Sequence, residues 1–118
     1  MHYNKQNNNK EAILEGVKTL DTVFSTMKKT VAALKYCENK NARRGIKNYN
    51  AMKKNLSGMS ATYNKVCNDT ERLVRFLLFI GEVSTDYADG ILNIIQKRRE
   101  IYLNFRRSQP GYIRKLMA

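Results

Sequence analysis

An all-α fold, built as an antiparallel bundle of three long helices, is what this sequence predicts, and three observations carry it. The 118 residues contain one Pro and six Gly against many Lys, Leu, Ala, Met and Asn, a composition that favours helix over sheet. Apolar residues recur at alternating steps of three and four along two long stretches, the period of a helix face and not of a strand. A 42% hydrophobic content on a chain of this length is enough for one buried core without disulfides or a metal, so a single domain follows.

"MHYNKQNN", residues 1–8, has no apolar period and reads as a flexible polar tail. The bundle then spans residues 9–107. Ile13, Val17, Leu20, Phe24, Met27, Val31 and Leu34 form a seam spaced 4, 3, 4, 3, 4, 3, which predicts a first helix. Asn8 or Asn9 is placed to cap it, Glu11 and Glu15 suit its positive end, and Lys28, Lys29 and Lys35 suit its negative end. "ENKNARRG", after Cys37, lacks a large apolar residue, so a helix–helix connection is expected near Glu38 to Asn41.

A second seam runs through Tyr49, Met52, Leu56, Met59, Tyr63, Val66, Thr70, Leu73, Leu77 and Ile80 without losing phase. "NLSGMS" interrupts it with a possible helix end at Ser57-Gly58, which would make four helices instead of three. One interior Gly costs only about 1 kcal/mol relative to Ala, whereas a turn would reset the phase, so a continuous helix is favoured. Within it "ERLVRFLLFIGEV", Glu71 to Val83, is the most apolar passage of the chain. It is too short for a membrane span, which needs roughly 18–20 apolar residues, and Arg72, Arg75 and Glu82 interrupt it. Burial of Phe76, Leu77, Phe79 and Ile80 is expected instead, at roughly 1.5–3 kcal/mol each. Phe76, Leu78 and Phe79 cover more circumference than a three-helix bundle needs, so a protein-partner face is expected at Arg72, Arg75, Phe76 and Phe79.

Gly81 followed by Ser84, Thr85 and Asp86 predicts a firm break, with Asp86 and Asp89 in the first turn of the last helix. That helix turns Tyr87, Ile91, Ile94, Ile95, Ile101, Tyr102 and Phe105 inward and ends before Pro110-Gly111. Residues 108–118 read as a short basic-apolar tail.

Catalysis is not expected. Paired carboxylates, a nucleophile with its base, a phosphate loop and a metal-ligand set are all missing at recognisable spacing. Cys37, Cys67 and His2 cannot supply a four-ligand zinc site, and no cofactor is implied. The two cysteines read as reduced thiols, and without a basic and apolar leader at the N-terminus a cytoplasmic location is expected. Tyr36, Tyr49, Tyr63, Tyr87 and Tyr102 fall at helical spacing and read as core or rim.

Charge is the outstanding feature: 22 Lys and Arg against 10 Asp and Glu, net +12. From Asn39 to Asn68 there is no acid, while Lys40, Arg43, Arg44, Lys47, Lys53 and Lys54 all fall there. Lys97, Arg98, Arg99, Arg106, Arg107, Arg114 and Lys115 load the C-terminal end. Such an excess costs self-repulsion and normally answers a polyanion. Lys40, Arg43, Arg44, Lys47, Lys53, Lys54, Lys97, Arg98, Arg99, Arg106 and Arg107 are therefore the candidate contacts to a nucleic-acid phosphate backbone. No helix-turn-helix, zinc-finger or ribonucleoprotein signature supports reading of base sequence. The alternatives are a peripheral protein on anionic lipid, a subunit of a larger protein complex, and a homo-oligomer joined through apolar helix faces.

Glu71 to Leu92, "ERLVRFLLFIGEVSTDYADGIL", resembles the third and fourth helices of the small, basic, four-helix immunity proteins that protect Gram-positive bacteria from pediocin-like bacteriocins. That resemblance implies a cytosolic protein acting at a membrane receptor; the long first helix and short C-terminal tail depart from the family's pattern. "LSG" at Leu56 to Gly58 is similar to the central hairpin of small secreted helical proteins of the type VII pathway, which implies a turn there.

Overall fold

Helix α1 (Asn4–Asn39) leads into α2 (Ile46–Phe79), α3 (Thr85–Arg107) and a short α4 (Gly111–Leu116) in the computed structural model, which describes residues 4–39 and 46–118. Two contacts between side chains fix the directions. Asn9 at the start of α1 donates to Glu82 just beyond α2 at 3.1 Å, and Tyr49 at the start of α2 donates to Glu38 at the end of α1. α1 and α2 are therefore antiparallel. Arg98 of α3 reaches Asp21 of α1 at 2.8 Å and Lys35 reaches Gln109 at 3.3 Å, so α3 runs alongside α1. The all-α antiparallel bundle of three long helices is thus present, with α4 added at one end. The molecule is elongated, 57 × 29 × 16 Å.

α2 passes through Gly58 without a turn, as its unbroken phase required; the hairpin suggested by "LSG" is absent. The chain leaves α2 through Gly81, two residues past its end, which has φ +76°. The Gly81 N–H bonds the Leu78 carbonyl at 3.1 Å and the Glu82 N–H bonds the Leu77 carbonyl at 2.9 Å, a Schellman end that needs a left-handed residue. Ser84 then caps α3, its hydroxyl accepting from the Tyr87 N–H at 3.0 Å.

α1 buries Ile13, Leu20, Met27, Val31 and Leu34 of its expected seam, with Phe24 partly buried against the same core. α2 is different, because it contacts both long neighbours and α4 as well. Its buried line is Leu56, Ser60, Tyr63, Cys67, Thr70, Val74 and Leu77, while Met59, Val66 and Leu73 only flank it. Small side chains occupy positions that the reading by large apolar residues passes over. Gly16 faces Thr70 of α2 across this contact, and a Cβ added there would stand 2.4 Å from the Thr70 Oγ1.

Four expectations need correction. α1 begins at Asn4, so residues 4–8 belong to the helix and Asn8 and Asn9 lie inside it; Asn is an indifferent helix former and no breaker, and Asn9 finds its partner in Glu82. Residues 108–118, expected as a short basic-apolar tail, carry α4, which buries Ile113 and, just after the helix, Met117, whose carbonyl accepts from the Tyr102 hydroxyl at 2.5 Å. Ile101 lies exposed on α3. Of the four residues of the apolar passage expected in the core, only Leu77 is buried; Phe76, Phe79 and Ile80 are exposed, because a helix between two long partners needs only one broad stripe and these three fall outside it.

Candidate polyanion interface

The antiparallel topology gathers residues that are distant in sequence. The C-terminal halves of α1 and α3, the N-terminal half of α2 and all of α4 meet at one end of the long axis. An aromatic layer separates this end from the other: Phe24 lies edge-on to Phe105 at 5.4 Å and 6.1 Å from Tyr63, which stacks on Tyr102 at 5.1 Å. The Tyr63 hydroxyl donates to the Arg98 carbonyl at 2.8 Å, and burial pushes its pKa well above the ordinary range. This layer is neutral and structural.

Beyond that layer stand Lys28, Lys29 and Lys35 of α1, Lys53 and Lys54 of α2, Arg106 and Arg107 of α3, and Arg114 and Lys115 of α4. Glu38 is the one acid beside them among the described side chains, and it is taken up by Tyr49. In the other half, Lys10, Lys18, Lys65, Arg72, Arg75, Lys97, Arg98 and Arg99 face Glu11, Glu15, Asp21, Asp69, Glu71, Glu82, Asp86, Asp89 and Glu100. Nine bases to one acid at one end, against eight to nine at the other, makes the protein electrically polar along its axis. The excess charge of the described residues lies in one half.

The sequence-derived candidates divide accordingly. Lys53, Lys54, Arg106 and Arg107 come together at the basic end. Lys40, Arg43, Arg44 and the side chain of Lys47 lie outside the described residues. Lys97 stands in the balanced half, and so do Arg98 and Arg99, whose guanidinium groups are engaged inside the molecule: Arg98 on Asp21, and Arg99 on Glu71 at 2.5 Å and on Asn68 at 2.9 Å. Hydrogen bonds from Arg99 and Arg75 hold the Glu71 carboxyl below the usual range. Along the sequence Lys28, Lys29 and Lys35 show only as helix-dipole partners; the charge of α1 joins the others only once the helices are packed.

Of the grooves that open on the basic end, two carry an exposed tyrosine. One, about 400 Å³, lies between α1 and α3 and is lined by Lys28, Val31, Ala32, Lys35, Tyr36, Phe105 and Gln109. The other, about 500 Å³, lies against α4 and is lined by Glu38, Tyr49, Lys53, Gly111, Tyr112, Lys115 and Leu116. Partial burial, and then the Glu38 carboxylate, push the Tyr112 phenol up, so its ring stays uncharged.

At the opposite end lie the residues expected to face a partner, and their side chains are exposed. Phe79 is 88% exposed and Phe76 56%, with Ile80 at 45% next to them. Arg72 and Arg75 are exposed on the same stretch, Arg75 held by Glu71 at 3.1 Å. Among the described residues no helix is long and apolar enough to cross a membrane, and no group of three or more His, Cys, Asp or Glu is placed to hold a metal. Cys37 and Cys67 are both free thiols, and burial raises the pKa of Cys67. No protein-family model, curated protein or solved structure matches the chain, so neither family resemblance is extended by these comparisons.

Proposed function

We propose that this chain is a non-enzymatic binding protein that holds the phosphate backbone of nucleic acid on its basic end, without reading base sequence. The observation that carries this is the segregation of charge: among the described side chains nine bases stand with one acid beyond the aromatic layer, while the other half is balanced. Concentrating like charge raises the energy of the folded state, and a bound polyanion relieves it. Lys and Arg on three long helices and α4 would contact phosphates and release their counterions, so affinity falls steeply with salt, with a slope of about −0.9 per phosphate neutralised on duplex DNA.

The test is binding to duplex and single-stranded oligonucleotides of unrelated sequence across a salt series. Affinity that is alike for all sequences and drops with salt supports the reading; binding that ignores salt, or none at low salt, overturns it. Reversal of Lys53, Lys54, Arg106 and Arg107 to Glu should abolish binding with helicity intact. Reversal of Arg72 and Arg75, in the balanced half, should weaken it far less.

The exposure of Phe79, Phe76 and Ile80 favours a second role for the other end, as a protein-contact face that leaves the basic end open. A solitary exposed Phe is ordinary, but three large apolar side chains within five residues form a patch of the kind found at interfaces. Phe79→Ser should then abolish capture of a partner, or the chain's own oligomer in sedimentation, without altering nucleic-acid affinity.

A further inference from the structure

We infer that the basic end binds single-stranded nucleic acid in preference to duplex, with Tyr36 and Tyr112 as the rings on which unpaired bases stack. This rests on the polyanion reading and specifies its ligand.

The two grooves are not merely cationic. Each is lined by an exposed tyrosine together with apolar side chains: Tyr36 with Val31, Ala32 and Phe105 in one, Tyr112 with Leu116 and Tyr49 in the other. Tyr36 is 62% exposed and Tyr112 40%, both in the charged half, whereas Tyr63 and Tyr102 are buried in the aromatic layer. A duplex offers only phosphates and sugars at its rim, which need ammonium groups and nothing apolar. An unpaired strand offers a base face at every nucleotide, and a base face needs an exposed ring and an apolar floor. Gln109 lines the first groove and Gly111 the second, two residues apart in the chain, and one strand would span both.

The cations beside the rings are held in place. Lys28 lies over the Phe24 ring at 5.1 Å, Lys53 lies over the Tyr49 ring at 5.2 Å, and Lys35 donates to the Gln109 Oε1 at 3.3 Å. Each ammonium keeps further N–H groups for a phosphate. Anchoring the stems in the free protein lowers the ordering cost of binding.

The experiment measures fluorescence anisotropy of a labelled oligothymidylate of about ten nucleotides and of a labelled duplex of equal length, both at low salt. The unmodified protein should bind the single strand more tightly. Joint replacement of Tyr36 and Tyr112 by Ala should lower single-strand affinity about tenfold or more, leaving duplex affinity and the salt slope unchanged. Joint replacement by Phe, which keeps the rings, should restore it, and circular dichroism should show unaltered helicity in both variants. Duplex binding as tight as single-strand binding, or equal loss on both ligands in the Ala variant, overturns this inference and leaves the polyanion reading standing. Binding to neither ligand overturns both. Sedimentation with phosphatidylserine vesicles in the absence of oligonucleotide binding would replace nucleic acid by lipid and overturn both as well.

Discussion

The two halves of this bundle are made from the same three helices and the same packing, yet they handle charge in opposite ways. In the half that contains the start of α1, acids and bases are matched, and several are joined across helices: Asp21 with Arg98, and Glu71 with Arg99 and Arg75. In the other half cations accumulate beside a single described acid. One half spends its charge on holding helices together; the other leaves its charge facing outward. A fold that needed its cations only for solubility would have no reason to separate them so sharply.

The largest effect is expected at the layer between the halves. Tyr63 is buried, stacks on Tyr102 and donates to the Arg98 backbone, so it joins α2 to α3 just where the charge changes character. Tyr63→Ala should cost about 3–5 kcal/mol, and Tyr63→Phe about 1 kcal/mol for the lost hydrogen bond, read by chemical denaturation. If the Ala variant is as stable as the parent, the layer is not the central packing element.

Gly16 sharpens the comparison within the balanced half. A Cβ there would meet the Thr70 hydroxyl at 2.4 Å, and Thr70 is both buried and β-branched, so it cannot swing aside cheaply. Gly16→Ala should cost about 1–3 kcal/mol by overpacking, and Thr70→Ala added to it should recover a large part. Gly90→Ala, in open space on α3, should be neutral or stabilising by up to about 1 kcal/mol.

How much of this was legible beforehand varies by element for physical reasons. The α1 seam was legible because its partners need large side chains there. On α2 the seam of large apolar residues runs through Met59, Val66 and Leu73, whereas the buried line lies one position on, at Ser60, Cys67 and Val74, since close contact with two neighbours selects smaller side chains. Phe76, Phe79 and Ile80 share the apolar character of core residues, and only the position of α1 and α3 around α2 decides that they stay outside. The C-terminal segment gave no period in its few residues, and its helix depends on Ile113 and Met117 finding the core. Basic clusters were visible along the chain, but Arg98 and Arg99 carry the same letters as Arg106 and Arg107; what separates them is whether an acid stands opposite, which is a property of helix direction and register.

Glu71 offers a smaller, pH-dependent test of the balanced half. Its folded pKa is depressed by hydrogen bonds from Arg99 and Arg75, so the unfolded chain binds a proton more readily than the folded one. The stabilisation is therefore fully present above the unfolded carboxylate range, near pH 4.3, and is lost as pH falls below it through the folded value. Glu71→Gln should lower stability by about 1–2 kcal/mol at pH 7 and flatten the acid limb of the stability profile.

The smallest expected effect separates the two halves most directly. Raising ionic strength from about 0.01 M to about 0.15 M shortens the screening length from about 30 Å to about 8 Å. Repulsion among the cations of the basic end acts over such distances and is screened, whereas the close ion pairs of the other half are screened much less. Moderate salt should therefore stabilise the protein, by about 1 kcal/mol or less. The same addition should do little, or destabilise, when Lys53, Lys54, Arg106 and Arg107 are reversed to Glu, because that end then holds mixed charge whose attractions the salt weakens. Native-state hydrogen exchange localises the response among amides that exchange by local opening: those of α4 and of the first turns of α2 should gain protection with salt in the parent, while those around Asp21 and Glu71 should not. Equal responses at both ends would mean that the uneven distribution of charge does not strain the fold, and the energetic reason for a polyanion ligand would be gone.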